Sequence, residues 1–243
     1  MVHFQLNKVD STNGYLKNLV DNTTVDNWTV VSSKKQDFGK GQRGNVWLSG
    51  DGGNALMSVY YKPNKLQVKD AFLLNKWVSL SVLKTLEMLG VYGTQIKWPN
   101  DILVNKKKIC GILIENTFVG HSISDVIIGI GLNVNSIPKL SGVTALSYEL
   151  GVELIVKQVI EKLVDQLKTN SHLLHKVKQL DRFYLNGLYG FKQFVKLESE
   201  NGEFKGRVNS VNHLGFVQIE KENKEVVEFD IQQLKWLDLP KRT

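Results

Sequence analysis

The chain has 243 residues, 42% of them hydrophobic and 23% charged, with only 4 Pro and its 20 Gly spread along the length, which excludes wholesale disorder, collagen and low-complexity classes. No apolar run approaches the ~20 residues needed to span a bilayer, and the opening MVHFQLNKVDSTN lacks the basic and apolar regions of a secretory leader, so a cytoplasmic protein with no membrane contact is expected. The single cysteine, Cys110, excludes an internal disulfide and a multi-cysteine metal site, while 31 Lys plus Arg against 24 Asp plus Glu give a net charge of +7 that suits either an anionic partner or simple solubility.

In chain order, HFQLNKV reads as a strand that enters a short helix over DSTNGYLKNLV, with Asp10 or Ser11 placed to cap its free N–H groups. Trp28 to Ser33 and Asn54 to Tyr61 are further strands, rich in β-branched and aromatic residues. Between Asp70 and Leu89, Phe72, Leu73, Trp77, Leu80, Leu83, Leu86 and Leu89 keep helical spacing, and Gly90 follows as a C-terminal cap, which predicts a buried central helix. QIKWPNDILV, KKICGILIE and SDVIIGIGLNVN then form three strand-like runs, and long helices return from Ile155 to about Leu188. From Phe191 short alternating runs joined by ENG, NHLG and KENK predict a small β-module of about five strands, with the domain boundary near residue 190.

Gly39, Gly41 and Gly44 fit the spacing G-x-G-x-x-G, but a dinucleotide-binding loop must run straight into a helix whose N-terminus holds the pyrophosphate. Here Asn45-Val46-Trp47-Leu48-Ser49, a second glycine-rich turn and a strand follow instead. Lys34, Lys35, Lys40 and Arg43 give this loop cations as well as flexibility, so it either wraps an anion or is a solvated hairpin. Lys97-Trp98-Pro99-Asn100-Asp101 places a rigid proline and an aromatic beside two polar side chains, as a binding element or as a β-turn. Lys108 opens the apolar strand ICGILIE, where it either aims at a bound carboxylate or is solvated, and Gly111 leaves room for a ligand against the backbone. Gly129-Ile130-Gly131-Leu132-Asn133-Val134-Asn135 ends a strand with asparagines able to donate and accept, or to serve only as turn residues.

Taken together, these segments resemble the biotin protein ligase family: Ser11-Thr12-Asn13, Gln36, the loop from Gly39 to Gly44 with Trp47, KWPND, Lys108 with Gly111, and GIGLNVN occur in order, followed by Val143-Thr144-Ala145-Leu146. The resemblance implies an α+β fold: a biotin/lipoate ligase-like catalytic core over residues 1–189, with a mixed β-sheet flanked by helices, and a C-terminal SH3-like β-barrel over 190–243. It implies that biotin is activated by ATP and Mg²⁺ to biotinyl-5′-AMP and then transferred to a lysine of a biotin carboxyl carrier protein or carrier domain. Lys108, Lys40 and Arg43 are the implied catalytic residues. Ser11, Thr12, Asn13, Gln36, Lys40, Gly41, Gln42, Lys108 and Gly111 are the implied biotin site. Arg43, Trp47, Lys97, Asn100 and Asn133 are the implied ATP and adenylate site, with Asp101 a candidate to place Mg²⁺. A homodimer paired through the sheet edge is implied too.

Two departures stand out. The family loop usually reads G-R-G-R-x-G-R-x-W, and this chain has Lys40, Gln42 and Asn45 at the three arginine positions, so two charges and the planar guanidinium fork are lost. Ser11 also arrives too early for a preceding winged helix-turn-helix, so a monofunctional ligase without nucleic-acid binding is expected. A thioester through Cys110 does not fit an adenylate route, and a cysteine within an apolar strand is ordinarily inert. A lipoate ligase is the nearest competing reading, though an aliphatic acid gives no reason for ureido-type hydrogen bonding at Ser11, Thr12 and Gln36. A nucleic-acid-binding module is disfavoured by the acidic residues of the C-terminal segment.

Overall fold

The computed structural model describes residues 2–48, 52–138 and 140–240. Ser49 to Asp51, the start of the second glycine-rich turn, and the last three residues of the C-terminal module fall outside these. Seven strands build one sheet: β1 (His3–Val9), β2 (Val30–Gln36), β3 (Ala55–Tyr61), β4 (Thr94–Lys97), β5 (Asp101–Val104), β6 (Lys107–Val119) and β7 (Ser122–Leu132). Their order is β1-β2-β3-β7-β6-β5-β4. Only β1 and β2 run parallel, and the crossover between them carries helix α1 (Thr12–Asn22). Ser11 is its N-cap and accepts a hydrogen bond from the Gly14 N–H.

Strand alternation gives the sheet two different faces. Met57, Val59, Ile128, Ile130, Leu132, Cys110 and Ile112 belong to the large core, covered by α2 (Phe72–Met88) and α4 (Val156–Asn170). On the opposite face α1 packs Leu16 over Val31, Tyr60 and Ile127 in a smaller cluster. Because α1 is only 11 residues long, it covers part of that face and leaves the stretch beyond it open.

A second sheet, antiparallel and ordered β11-β10-β9-β8-β12, follows α5 (Val177–Gly187) and comprises β8 (Val195–Ser199), β9 (Gly202–Val211), β10 (Val217–Lys221), β11 (Val226–Phe229) and β12 (Lys235–Trp236). Its inward residues Val195, Leu197, Val208, Val217 and Ile219 join the same large core. Trp98 Nε1 donates to Gly215 O at 2.9 Å, and Lys76 Nζ, buried in α2, reaches both Asp181 and Val211 O. Among the described residues no helix is long and apolar enough to cross a membrane.

Several elements differ from expectation. QIKWPNDILV is not one strand: β4 and β5 pair antiparallel with Lys97 opposite Asp101, and Trp98-Pro99-Asn100, whose Trp98–Pro99 bond is cis, makes the turn between them. β2 starts at Val30 because Trp28 has a positive φ of 71°. The run from Ile155 to Leu188 divides into α4, a 3₁₀ segment over Ser171–His175, and α5. A short helix α3 (Leu146–Leu150) had no clear pattern, and the fifth strand of the second sheet, β12, is only two residues long.

Candidate functional site

The open part of the sheet face is a floor made without side chains. Gly111 of β6 is paired with Gly131 of β7, and Gly129 lies between Leu113 of β6 and Ser58 of β3. Directly opposed residues share a face, so the three glycines form a shallow trough across β6 and β7. Above it lies a cavity of about 300 Å³, lined by α1, the glycine loop, the KWPND turn, β6 and β7, and closed from the C-terminal sheet by Ile231, Leu234 and Trp236.

The glycine loop folds over this trough. Lys40 bridges to Val46, a 3₁₀ turn spans Gln42–Gly44, and Arg43 sits in the left-handed region at φ 55°. Trp47 lays its ring on the two paired glycines: a Cβ at Gly111 would lie 2.7 Å from the ring, and one at Gly131 would overlap it. Gly39 is needed by the same contact, since a Cβ there would lie 2.6 Å from the Trp47 carbonyl oxygen. The Trp47 indole N–H is buried without a protein partner. Arg43 reaches Asp230 of the C-terminal sheet at 3.4 Å, which ties the loop tip across the mouth.

Among the described residues four cations line the cavity, Lys40, Arg43, Lys97 and Lys108, against one carboxylate, Asp101. Lys108 Nζ is 2.5 Å from Asp101 Oδ1 and 5.0 Å from the Trp47 ring centroid, while Lys97 Nζ lies 3.6 Å from Asp101 Oδ2. The KWPND turn therefore supplies both an ammonium and the carboxylate that steers a second one. Asn100 locks the turn to β6 by donating from Nδ2 to Ile112 O at 2.9 Å and accepting at its backbone carbonyl from the Ile112 N–H at 3.0 Å.

A resident metal does not fit this donor set. Asp101 is already held by two ammonium groups, and among the described residues there is no group of three or more His, Cys, Asp or Glu side chains that could hold an ion. Asp101 thus serves as the orienting partner of Lys108 and Lys97.

At the other end the residues are neutral. Thr12 donates to Gln36 Oε1 from its N–H at 2.7 Å, with its hydroxyl 3.1 Å away. Asn13 stands over Gly129, where any Cβ would collide with its amide, and bonds to Ser58 and Glu115. Among the described residues that line the cavity there is no cysteine or histidine. Cys110 lies on the opposite face of β6, fully buried, and burial pushes its thiol well above the ordinary range.

Of the residues singled out from the sequence, Ser11, Thr12, Asn13, Gln36, Lys40, Gly41, Gln42, Arg43, Trp47, Lys97, Asn100, Asp101, Lys108 and Gly111 all line this one cavity. Asn133 does not: it is buried behind the strand end and donates from Nδ2 to Thr144 O at 3.0 Å. Asn135 likewise exchanges two hydrogen bonds with the Leu154 backbone, a structural role. Lys34 and Lys35 are exposed on β2 and do not reach the lining. Sequence reasoning missed Ser58, Glu115, Ile231, Leu234 and Trp236, which carry no local motif and reach the site only through sheet pairing or from the C-terminal sheet.

The model of the biotin/lipoate A/B protein ligase family matches residues 6–133, just over half of the chain. The bifunctional ligase/repressor BirA of Bacillus subtilis is 28% identical over 221 residues, covering 87% of this chain and 68% of that protein. The biotin–[acetyl-CoA-carboxylase] ligase of Paracoccus denitrificans is 30% identical over 146 residues, covering 57% of each. Among solved structures, the biotin protein ligase of Aquifex aeolicus in complex with biotin and ATP superposes with a TM-score of 0.77 at 26% identity, covering 97% of this chain and 99% of that one.

Proposed function

The chain belongs to the biotin/lipoate A/B protein ligase family, and on that premise we propose that it is a biotin–protein ligase that makes biotinyl-5′-AMP and transfers biotin to a lysine of a carrier domain of a biotin-dependent carboxylase. One observation carries the choice of biotin: a single cavity joins a neutral hydrogen-bonding end at Thr12 and Gln36 to a cationic end at Lys108. A ureido ring offers N–H donors and a carbonyl acceptor to the first, and a carboxylate faces the second.

In the first step a carboxylate oxygen of biotin attacks the α-phosphorus of ATP and pyrophosphate leaves. Both reactants are anions, so the task is positioning and charge compensation. Lys108, aimed by Asp101, sits over the trough where the carboxylate would lie, and Lys40, Arg43 and Lys97 meet the phosphates. Mg²⁺ enters as part of the nucleotide substrate, consistent with its habit of using phosphate oxygens and few protein ligands. In the second step the neutral amine of the acceptor lysine attacks the acyl carbon, AMP departs and the amine proton passes to solvent. Lys108 remains beside the reacting oxygens through both steps.

The proposal assigns catalysis to residues 1–189, with the sheet beyond residue 190 closing the cavity, and places the reaction in the cytoplasm with no part for nucleic acid. It includes a homodimer paired along β1: β4 has its outer side bridged by Leu188, which leaves β1 as the unpaired edge of the large sheet among the described residues. Gel filtration with and without biotin and ATP tests this, and a monomer throughout overturns it. The activity is tested by supplying ATP and Mg²⁺ with biotin, then with lipoate, and measuring pyrophosphate release. Turnover with biotin is expected; turnover with lipoate alone would move the chain to the lipoate branch of the family.

A further inference from the structure

We infer that Glu115, outside the cavity lining, is a positioning residue that sets the hydrogen-bond polarity of the neutral end and so the recognition of the ureido ring; the inference rests on the biotin reading above. Glu115 lies on β6, two residues beyond Leu113 on the same face, and its Oε2 is 2.6 Å from Asn13 Nδ2. From there a continuous chain runs through Ser58, whose Oγ is 2.5 Å from Asn13 Oδ1 and 2.8 Å from Thr12 Oγ1, to Gln36 Oε1.

Donor counting fixes the direction of each link. An ionised carboxylate only accepts, so Asn13 must present its NH₂ to Glu115, where the Leu113 carbonyl also lies 3.4 Å away. Asn13 Oδ1 then faces Ser58 and takes the only proton that hydroxyl owns. Thr12 must therefore donate back to Ser58 across the 2.8 Å contact, which is shorter than its 3.1 Å approach to Gln36. Gln36 Oε1 is held by the Thr12 N–H instead, at 2.7 Å. Two groups remain for a ligand: a Thr12 hydroxyl lone pair, which accepts, and the Gln36 NH₂, which donates. An adjacent acceptor and donor are the complement of the N–H and C=O of a ureido ring.

A glutamine at 115 can offer its own NH₂, which permits Asn13 to flip and reverses every link up to Thr12. The Thr12 proton then turns to Gln36, and one of the two Oγ1 lone pairs is taken by Ser58, which leaves a single one for the ligand. The polar end is a poorer acceptor for a ureido N–H while the cationic end is untouched.

The test uses the whole chain with Glu115→Gln and, independently, Ser58→Ala, which cuts the relay without altering the carboxylate. Biotin and ATP binding are measured separately by calorimetry, alongside pyrophosphate release at saturating substrates and thermal unfolding without ligand. Biotin Kd and KM are expected to rise at least tenfold in both variants, with ATP Kd and saturating kcat nearly unchanged; the unfolding midpoint should stay near that of the wild type in Glu115→Gln and fall in Ser58→Ala, where the buried Asn13 Oδ1 loses its donor. Unchanged biotin affinity in either variant, or equal weakening for biotin and ATP, overturns the inference. Failure of the wild-type protein to bind biotin at all would instead refute the biotin reading.

Discussion

At the residue scale the site depends on where charge is held. Lys108 is fixed by Asp101 before any ligand arrives, so its ammonium needs little reorganisation as negative charge moves from carboxylate to phosphate. Lys108→Met is expected to lower kcat for biotin-dependent pyrophosphate release by about 10²- to 10³-fold, the range for deleting one preorganised donor. Arginine at 108 should not restore it, because a planar fork cannot reproduce a point ammonium beside Trp47. The loop makes the opposite prediction. Gln42 lines the cavity without charge, and adding one charge-assisted bond of about 1.5 kcal/mol would slow loss of the adenylate roughly tenfold. Gln42→Arg should therefore lower the biotinyl-5′-AMP off-rate and Arg43→Ala should raise it; unchanged rates in both would show that the loop does not retain the intermediate. Most of the polar residues that line the cavity were legible because they sit in short motifs. Asn133 does not line the cavity, and an asparagine that satisfies a backbone carbonyl has the same sequence signature as one that meets a nucleotide.

At the element scale, three glycines and one turn decide whether the motifs meet. The pairing of Gly111 with Gly131 makes the trough, and Trp47 rests in it only because neither carries a Cβ. Gly131→Ala is expected to displace the Trp47 ring and with it the loop, cutting adenylate formation at least tenfold while the protein still folds. Pyrophosphate release and far-UV circular dichroism measure the two effects separately, and full activity would show that Trp47 does not define the floor. The KWPND turn is anchored outside its own sheet. Trp98→Phe leaves the Gly215 carbonyl without its indole donor in a buried setting and should cost about 1–3 kcal/mol in urea unfolding. Helices and strands were readable from period 3.6 and period 2, whereas the split of QIKWPNDILV into β4 and β5 was not. An apolar run interrupted by proline fits one bent strand or two paired ones, and only the partner across the hairpin decides.

At the scale of the whole molecule, the two sheets share one core and one cavity, so the C-terminal sheet contributes side chains to a site whose motifs all lie before residue 147. No sequence period could place Asp230 there, since the Arg43 it meets is 187 residues distant in the chain, or show that Trp236, paired with Leu197 in its own sheet, also lines the cavity. The excess positive charge is partly localised in the same way, with four cations gathered around a single carboxylate among the described residues of the cavity. Away from it, the large sheet is sensitive to acid at two points. His3, hydrogen-bonded to Ser32 across β1 and β2, is held below its ordinary 6.5 chiefly by burial and then by Lys157 of α4. Asp125 lies below its ordinary 3.8 although burial alone would raise it, because the Tyr60 and Ser124 hydroxyls and the charges of Lys62 and Lys17 outweigh that cost. Both folded values are depressed, so each group's contribution is complete above its unfolded value and is lost as pH falls through the folded one. Stability should therefore decline in two steps on acidification, the first beginning below about pH 6.5 and the second below about pH 4. Urea midpoints measured from pH 8 to pH 3 resolve the two: His3→Gln should remove the upper step and Asp125→Asn the lower. Because neither residue lines the cavity, biotin affinity at pH 8 should be the same in both variants as in the wild type; an upper step that persists in His3→Gln would assign it to another group.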